Sequence, residues 1–158
     1  MGYDGVGLAG LVAKNAEIGL VTTLKGVSFL ASKFDGILGM AWPSISVDQQ
    51  PLIFDLLNKQ GLVASNSFSF YLTKVAGQNG SALVLGGINT AYNTTPFTYY
   101  PLSHQRYWEV IMSDIIFNGT SYKVANKTLT GIIDTGTSVI VGPNKVVENI
   151  TKGFGPGK

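Results

Sequence analysis

Ile132-Ile133-Asp134-Thr135-Gly136-Thr137-Ser138 is the stretch whose residue types could do chemistry. One carboxylate stands among small and hydroxyl-bearing residues, with apolar flanks on both sides. Those flanks, Thr128 to Ile133 and Val139 to Val141, read as two strands that bury both arms of a tight turn. Such a turn presents Asp134 at a strand end. Gly136 tolerates backbone angles that a side chain forbids, and the hydroxyls of Thr135, Thr137 and Ser138 can hold the loop by hydrogen bonds. A carboxylate fixed between dry strands is where a perturbed acid belongs, so Asp134 is the candidate catalytic group. Taken alone, Asp-Thr-Gly is a short motif that fits an ordinary turn aspartate equally well.

Other chemistries have fewer residues to draw on. The chain has no cysteine and a single histidine, His104. Ser103-His104-Gln105-Arg106 reads as a polar loop, and one histidine cannot build a zinc site. Without thiolates or clustered carboxylates, neither a metal nor another cofactor is expected. Eleven basic and nine acidic side chains give a net charge of +2, with the basic residues scattered singly. That distribution provides no footprint for nucleic acid. Lys14, Asn15 and Glu17 interrupt the apolar residues of the first thirty positions, so neither a signal peptide nor a membrane-spanning helix is expected there. Five glycosylation sequons, at Asn79, Asn93, Asn118, Asn126 and Asn149, lean instead towards a parent protein made in the secretory pathway.

The elements that must position Asp134 are mostly strands. Apolar residues make up 45% of the 158-residue chain and charged ones 13%, which is enough for one core or two small ones. Short apolar runs broken by Gly, Asn, Pro and Ser give an all-β pattern. Phe68 to Leu72 alternates with period two, and Ser81 to Leu85 follows after a Gly77-Gln78-Asn79-Gly80 turn. Trp108, Val110 and Met112 begin a strand predicted to reach Phe117, where Asn118-Gly119 signals a hairpin. Two short helices are predicted: one with Pro51 at its first position and Gly61 just past its end, the other opened by Gly142-Pro143 with Val146, Val147 and Ile150 on one side.

The Asp134 stretch resembles the C-terminal-lobe active-site motif of pepsin-like aspartic peptidases, the family that includes cathepsin D. Phe34-Asp35-Gly36-Ile37-Leu38-Gly39 is similar to that family's hydrophobic-hydrophobic-Gly segment in the N-terminal lobe. The Pro51 helix, Phe68 to Leu72, Gly86-Gly87 with Tyr92, and Tyr107-Trp108 fall in the family's order. The resemblance runs from about Phe29 to Ile150. It implies an all-β acid-protease fold, with residues 1–89 as the second half of the N-terminal lobe and 90–158 as the first half of the C-terminal lobe. It also implies a polypeptide substrate, with Phe34 and Ile37 lining the pocket before the scissile bond and Tyr107 and Ile132 lining the pocket after it. Gly136 and Thr137 would hydrogen-bond the substrate backbone, and Thr135 and Ser138 would support the loop.

Two departures follow from the same resemblance. The family's first Asp-Thr-Gly and its flap tyrosine have no counterpart here, and Asp35, followed directly by Gly36, is not a substitute. The cysteine pair that many members carry before the second motif is also absent. The family's chemistry needs two carboxylates about 3 Å apart sharing one proton. The chain is therefore expected to be inactive alone and to need the N-terminal half of its parent. The alternatives are a catalytically dead peptide-binding remnant and a homodimer pairing two copies of Asp134. Neither a nucleic acid nor a membrane is expected as a partner, and the parent is expected to be lysosomal, vacuolar or secreted.

Overall fold

The computed structural model describes residues 1–23, 34–75, 77–93, 95–123 and 127–154. The Asn126 sequon, the start of the resembling stretch at Phe29 and the final Gly155-Pro156-Gly157-Lys158 lie outside the described residues. Strands predominate, as the all-β pattern and the pepsin-like resemblance require. The chain divides into two compact units, Met1–Thr98 and Tyr99–Lys158.

The first unit begins with a hairpin. β1 (Gly2–Leu8) pairs antiparallel with β2 (Leu11–Ile18) through Ala9 and Gly10. Both turn residues have positive φ, which matches the right-handed twist of the flanking strands. The register shifts between Asp4 and Val6, opposite Ala16 and Ala13, and Asn15 there has φ 55°. This bulge lets Ala13 and Ala16 both be fully buried although they stand three positions apart, an odd spacing that a regular strand puts on opposite faces.

Helix α1 (Ile53–Lys59) packs against β2 and buries Phe54 and Leu57. Alanines on the strand leave room for that approach. The helix begins two residues later than Pro51 predicts: Leu52 is the N-cap and its N–H donates to the Asp55 carboxylate at 3.1 Å. That bond satisfies the terminus from within, and Pro51 stands just outside it. At the other end Gly61 has φ 67°, its N–H donates to Asn58 O, and Leu62 N–H donates to Leu57 O. These paired bonds are a Schellman ending, as the glycine signals.

β3 (Phe68–Tyr71) and β4 (Ala82–Leu85) form the predicted antiparallel pair. Phe68 meets Phe54 edge-on at 5.0 Å, and Tyr71 stacks on Tyr92 at 4.4 Å. Phe34 to Gly39 lie in no strand, and all six are exposed.

In the second unit β5 (Leu102–Gln105), β6 (Trp108–Met112) and β9 (Leu129–Ile132) form an antiparallel sheet in the order β5-β6-β9. The strand predicted to run from Trp108 to Phe117 is broken at Ser113. Asp114 accepts the Ile115 N–H at 2.7 Å, a local bond that competes with ladder pairing. The chain resumes as β7 (Ile116–Phe117), which turns through Asn118-Gly119 into β8 (Thr120–Ser121) as the hairpin signal requires.

His104 lies on β5 rather than in a loop, because the Gln105↔Trp108 pairing extends the ladder that far. Helix α2 (Asn144–Lys152) starts after Pro143, buries Val146, and is followed by Phe154 packing on Phe117 at 4.8 Å. Val139 to Val141 form no strand and are exposed, Ile140 completely. β9 pairs with β6 alone among the described residues, so the segment after Asp134 finds no ladder to join.

Candidate active site

The sheet of the second unit delivers the Asp134 loop. Glu109 pairs with Ile132, and one step on Ile133 N–H donates to the Trp108 carbonyl at 3.0 Å. The same register puts position 107 opposite position 134. Tyr107, in the β5–β6 turn, and Ile132, at the end of β9, thus belong to the strand ends that frame Asp134. Both side chains are exposed. Their exposure leaves apolar surface at these strand ends.

The loop folds around its own carboxylate. Gly136 N–H donates to Asp134 Oδ1 at 2.8 Å, and the Thr137 hydroxyl donates to Oδ2 at 2.5 Å. Each oxygen therefore carries one donor, and the ionised form is favoured. The Thr137 hydroxyl, and after it the Gly136 amide, hold the Asp134 carboxyl below its ordinary value. A Cβ at position 136 would stand 3.2 Å from Oδ1, a tight contact that the carboxylate would have to relieve by a small shift.

The carboxylate is exposed rather than fixed between dry strands. The cause is the missing cover: neither Ile133 before it nor Val139 to Val141 after it is buried. Thr135 and Ser138 make no hydrogen bond with the described residues. Of the loop hydroxyls, that of Thr137 bonds the carboxylate, together with the Gly136 amide. Sequence reasoning missed the Trp108 carbonyl, because strand pairing across more than twenty residues leaves no mark in a local pattern.

After the loop, Ile140, Val141, Gly142, Asn144, Val147 and Glu148 line a shallow groove of about 270 Å³. A larger cleft of about 470 Å³ lies in the first unit, lined by Tyr71 to Lys74, Gln78 to Gly80 and Tyr92. It contains neither a carboxylate nor a histidine, so the chemistry belongs with Asp134. Phe34 and Ile37, the other predicted pocket residues, are exposed in the first unit. His104 approaches Glu109 at 3.8 Å, and Glu109 also accepts from Ser103. In that order the carboxylate sits between the hydroxyl and the imidazole, so no base is aimed at a nucleophile. No group of three potential metal ligands occurs among the described residues.

A lone ionised carboxylate with two donors can accept a proton, but it has none to give. A family profile described as eukaryotic aspartyl protease matches residues 1–158. The chain belongs to that family. It is 37% identical to pepsin II-1 of Oryctolagus cuniculus over 158 residues, which is all of this chain and 40% of that protein. Pepsin A of Suncus murinus is 39% identical over 98% of this chain and 40% of its own length. Cathepsin D of Canis lupus familiaris is 41% identical over 94% of this chain and 36% of its own length. The chain therefore spans about two fifths of the length of these curated relatives.

Proposed function

We propose that this chain supplies the Asp134 half of an aspartic endopeptidase site, hydrolysing peptide bonds with a water activated between two aspartates. The observation that carries the reading is the Asp134 carboxylate held by Gly136 and Thr137, in a chain whose family is that of aspartyl proteases. One carboxylate of the pair is ionised and takes the proton from the bound water as that water attacks the carbonyl carbon. A second carboxyl group, protonated at that moment, donates to the carbonyl oxygen and then to the leaving amine. Two such groups share one proton because both cannot ionise so close together. Asp134-Thr135-Gly136 is the one Asp-Thr-Gly in the sequence, so the partner comes from a segment of the parent outside this chain. The chain alone is inactive.

The substrate is a polypeptide. Tyr107 and Ile132, exposed beside Asp134, contact the residue after the scissile bond, and Phe34 and Ile37 contact the one before it. The Gly136 N–H and the Thr137 hydroxyl are occupied by Asp134, so the substrate backbone is met by the Gly136 carbonyl and the Thr137 N–H. Residues 1–89 and 90–158 contribute to the two lobes of the parent, which acts in a lysosomal, vacuolar or secreted setting consistent with its sequons. The test is complementation. The purified chain should not cleave a denatured protein substrate at acid pH, and setting it between the N-terminal and C-terminal segments of a relative such as pepsin II-1, in place of that protein's matching stretch, should restore cleavage. Cleavage by the short chain, rising with its concentration, would instead indicate two copies of Asp134 paired in a homodimer.

A further inference from the structure

Asn118-Gly119-Thr120 is a sequon placed at the tip of a two-residue hairpin. Asn118 and Gly119 have φ of 48° and 78°, the pair of left-handed residues that a type I′ turn requires. Ile116↔Ser121 and Phe117↔Thr120 close the strands directly beneath, and Tyr122 N–H extends the pairing to Ile115 O. Asn118, Gly119 and Thr120 are all exposed. Neither the Asn118 amide nor the Thr120 hydroxyl has a hydrogen-bond partner among the described residues.

The other described sequons are engaged. The Ser81 hydroxyl of the Asn79 sequon accepts the Thr73 N–H at 3.1 Å and bonds the Thr73 hydroxyl at 3.2 Å. Asn93 turns its Oδ1 back to accept the Thr95 N–H at 3.2 Å. Asn149 lies within helix α2, where residues two apart do not face one another. The Thr151 hydroxyl of that sequon donates to the Glu148 carbonyl at 3.0 Å. The Asn118 sequon keeps its amide and its hydroxyl open to solvent in the formed hairpin.

We propose that Asn118 is an attachment site for an N-linked oligosaccharide. The co-substrate is a lipid-diphosphate-linked oligosaccharide. Asn118 Nδ2 forms a bond to the anomeric carbon of the first sugar as the bond from that carbon to the phosphate oxygen breaks. The amide nitrogen gives up one proton, and the lipid diphosphate leaves with the bonding pair. The glycan then projects from the turn away from the β7–β8 ladder, where it displaces no packed side chain. This site makes no use of Asp134 and stands apart from the peptidase reading.

The experiment is translation of the full chain behind a secretory leader into microsomes, scoring the protease-protected chains alone. The tryptic peptide spanning Asn118 should carry the mass of the oligosaccharide. Asn118→Gln and Thr120→Ala should each lose one endoglycosidase-sensitive gel shift, and Thr120→Ser, which preserves the sequon, should retain it. Thr120→Ala leaves the turn residues untouched, so loss of the shift there does not come from a broken hairpin. A bare Asn118 peptide in protected chains, or a shift unchanged in both loss variants, would overturn the assignment.

Discussion

The backbone N–H of Ile133 donates to the carbonyl of Trp108 at 3.0 Å, the last ladder bond before the Asp134 loop. It ties the residue preceding the catalytic candidate to the strand that follows Tyr107. The carboxylate is thereby placed by a sheet rather than by a free loop, although the side chain itself is exposed. Positions beyond that bond are held by the loop's own donors, Gly136 and Thr137.

Thr137→Val tests those donors. It removes the larger of the two causes that lower the Asp134 pKa and leaves the Gly136 amide in place. Asp134 should then titrate closer to its ordinary value of 3.8, read from its carboxyl carbon by NMR. The sign for stability follows from linkage. A carboxyl with a folded pKa below its unfolded one contributes stability above the unfolded value and loses it as pH falls through the folded value. Thr137→Val should therefore weaken the chain at neutral pH and have no such effect at pH below both values. An unshifted titration would show that the Thr137 bond does not form in solution.

Gln60 offers a test of the first unit. Its side-chain carbonyl accepts the Lys14 N–H at 3.0 Å and its amide donates to the Lys14 carbonyl at 2.9 Å, copying a strand partner for β2. Gln60→Ala should cost roughly 1 kcal/mol and speed hydrogen exchange at Lys14. Gln60→Glu keeps the acceptor and loses the donor, so Lys14 N–H should stay protected. Equal exchange in all three proteins would remove the clamp from the account.

Much of this was readable in advance and some was not, for physical reasons. Gly61 marked a helix end because a Schellman ending wants a left-handed residue, and Asn118-Gly119 marked a hairpin for the same local reason. The alternation from Phe68 onward marked β3. Asp-Thr-Gly with apolar flanks led to Asp134 and to the family. The burial of those flanks was misjudged, because Val139 to Val141 are apolar whether or not a partner strand covers them. Asp114 ended β6 early through a side-chain bond that apolar periodicity does not register. Pro51 announced a helix, but the Asp55 carboxylate decided where it began.

Gly119→Val keeps the Asn-X-Thr sequon and attacks only the turn. A β-branched residue at φ 78° costs about 1–2 kcal/mol in the left-handed region. Amide exchange at Phe117 and Tyr122 should accelerate, with little change in the first unit. Protection that survives the substitution would argue that other contacts hold β7 to β8.

The exposed run Val139-Ile140-Val141 predicts association of the isolated chain, since uncovered apolar segments pair with their like. Sedimentation should show self-association that grows with concentration. Ile140→Ser with Val141→Ser should reduce it, and a monomer unchanged across concentrations would contradict the prediction.

The central claim, that Asp134 is one half of a proton-sharing pair, is tested most directly by Asp134→Asn in a chimera that carries this chain between a relative's N-terminal and C-terminal segments. An amide can neither share the proton of a dyad nor accept one from water. Cleavage of a protein substrate at acid pH should fall to the uncatalysed background, with the fold retained by circular dichroism. Undiminished cleavage by the Asp134→Asn protein would contradict the account.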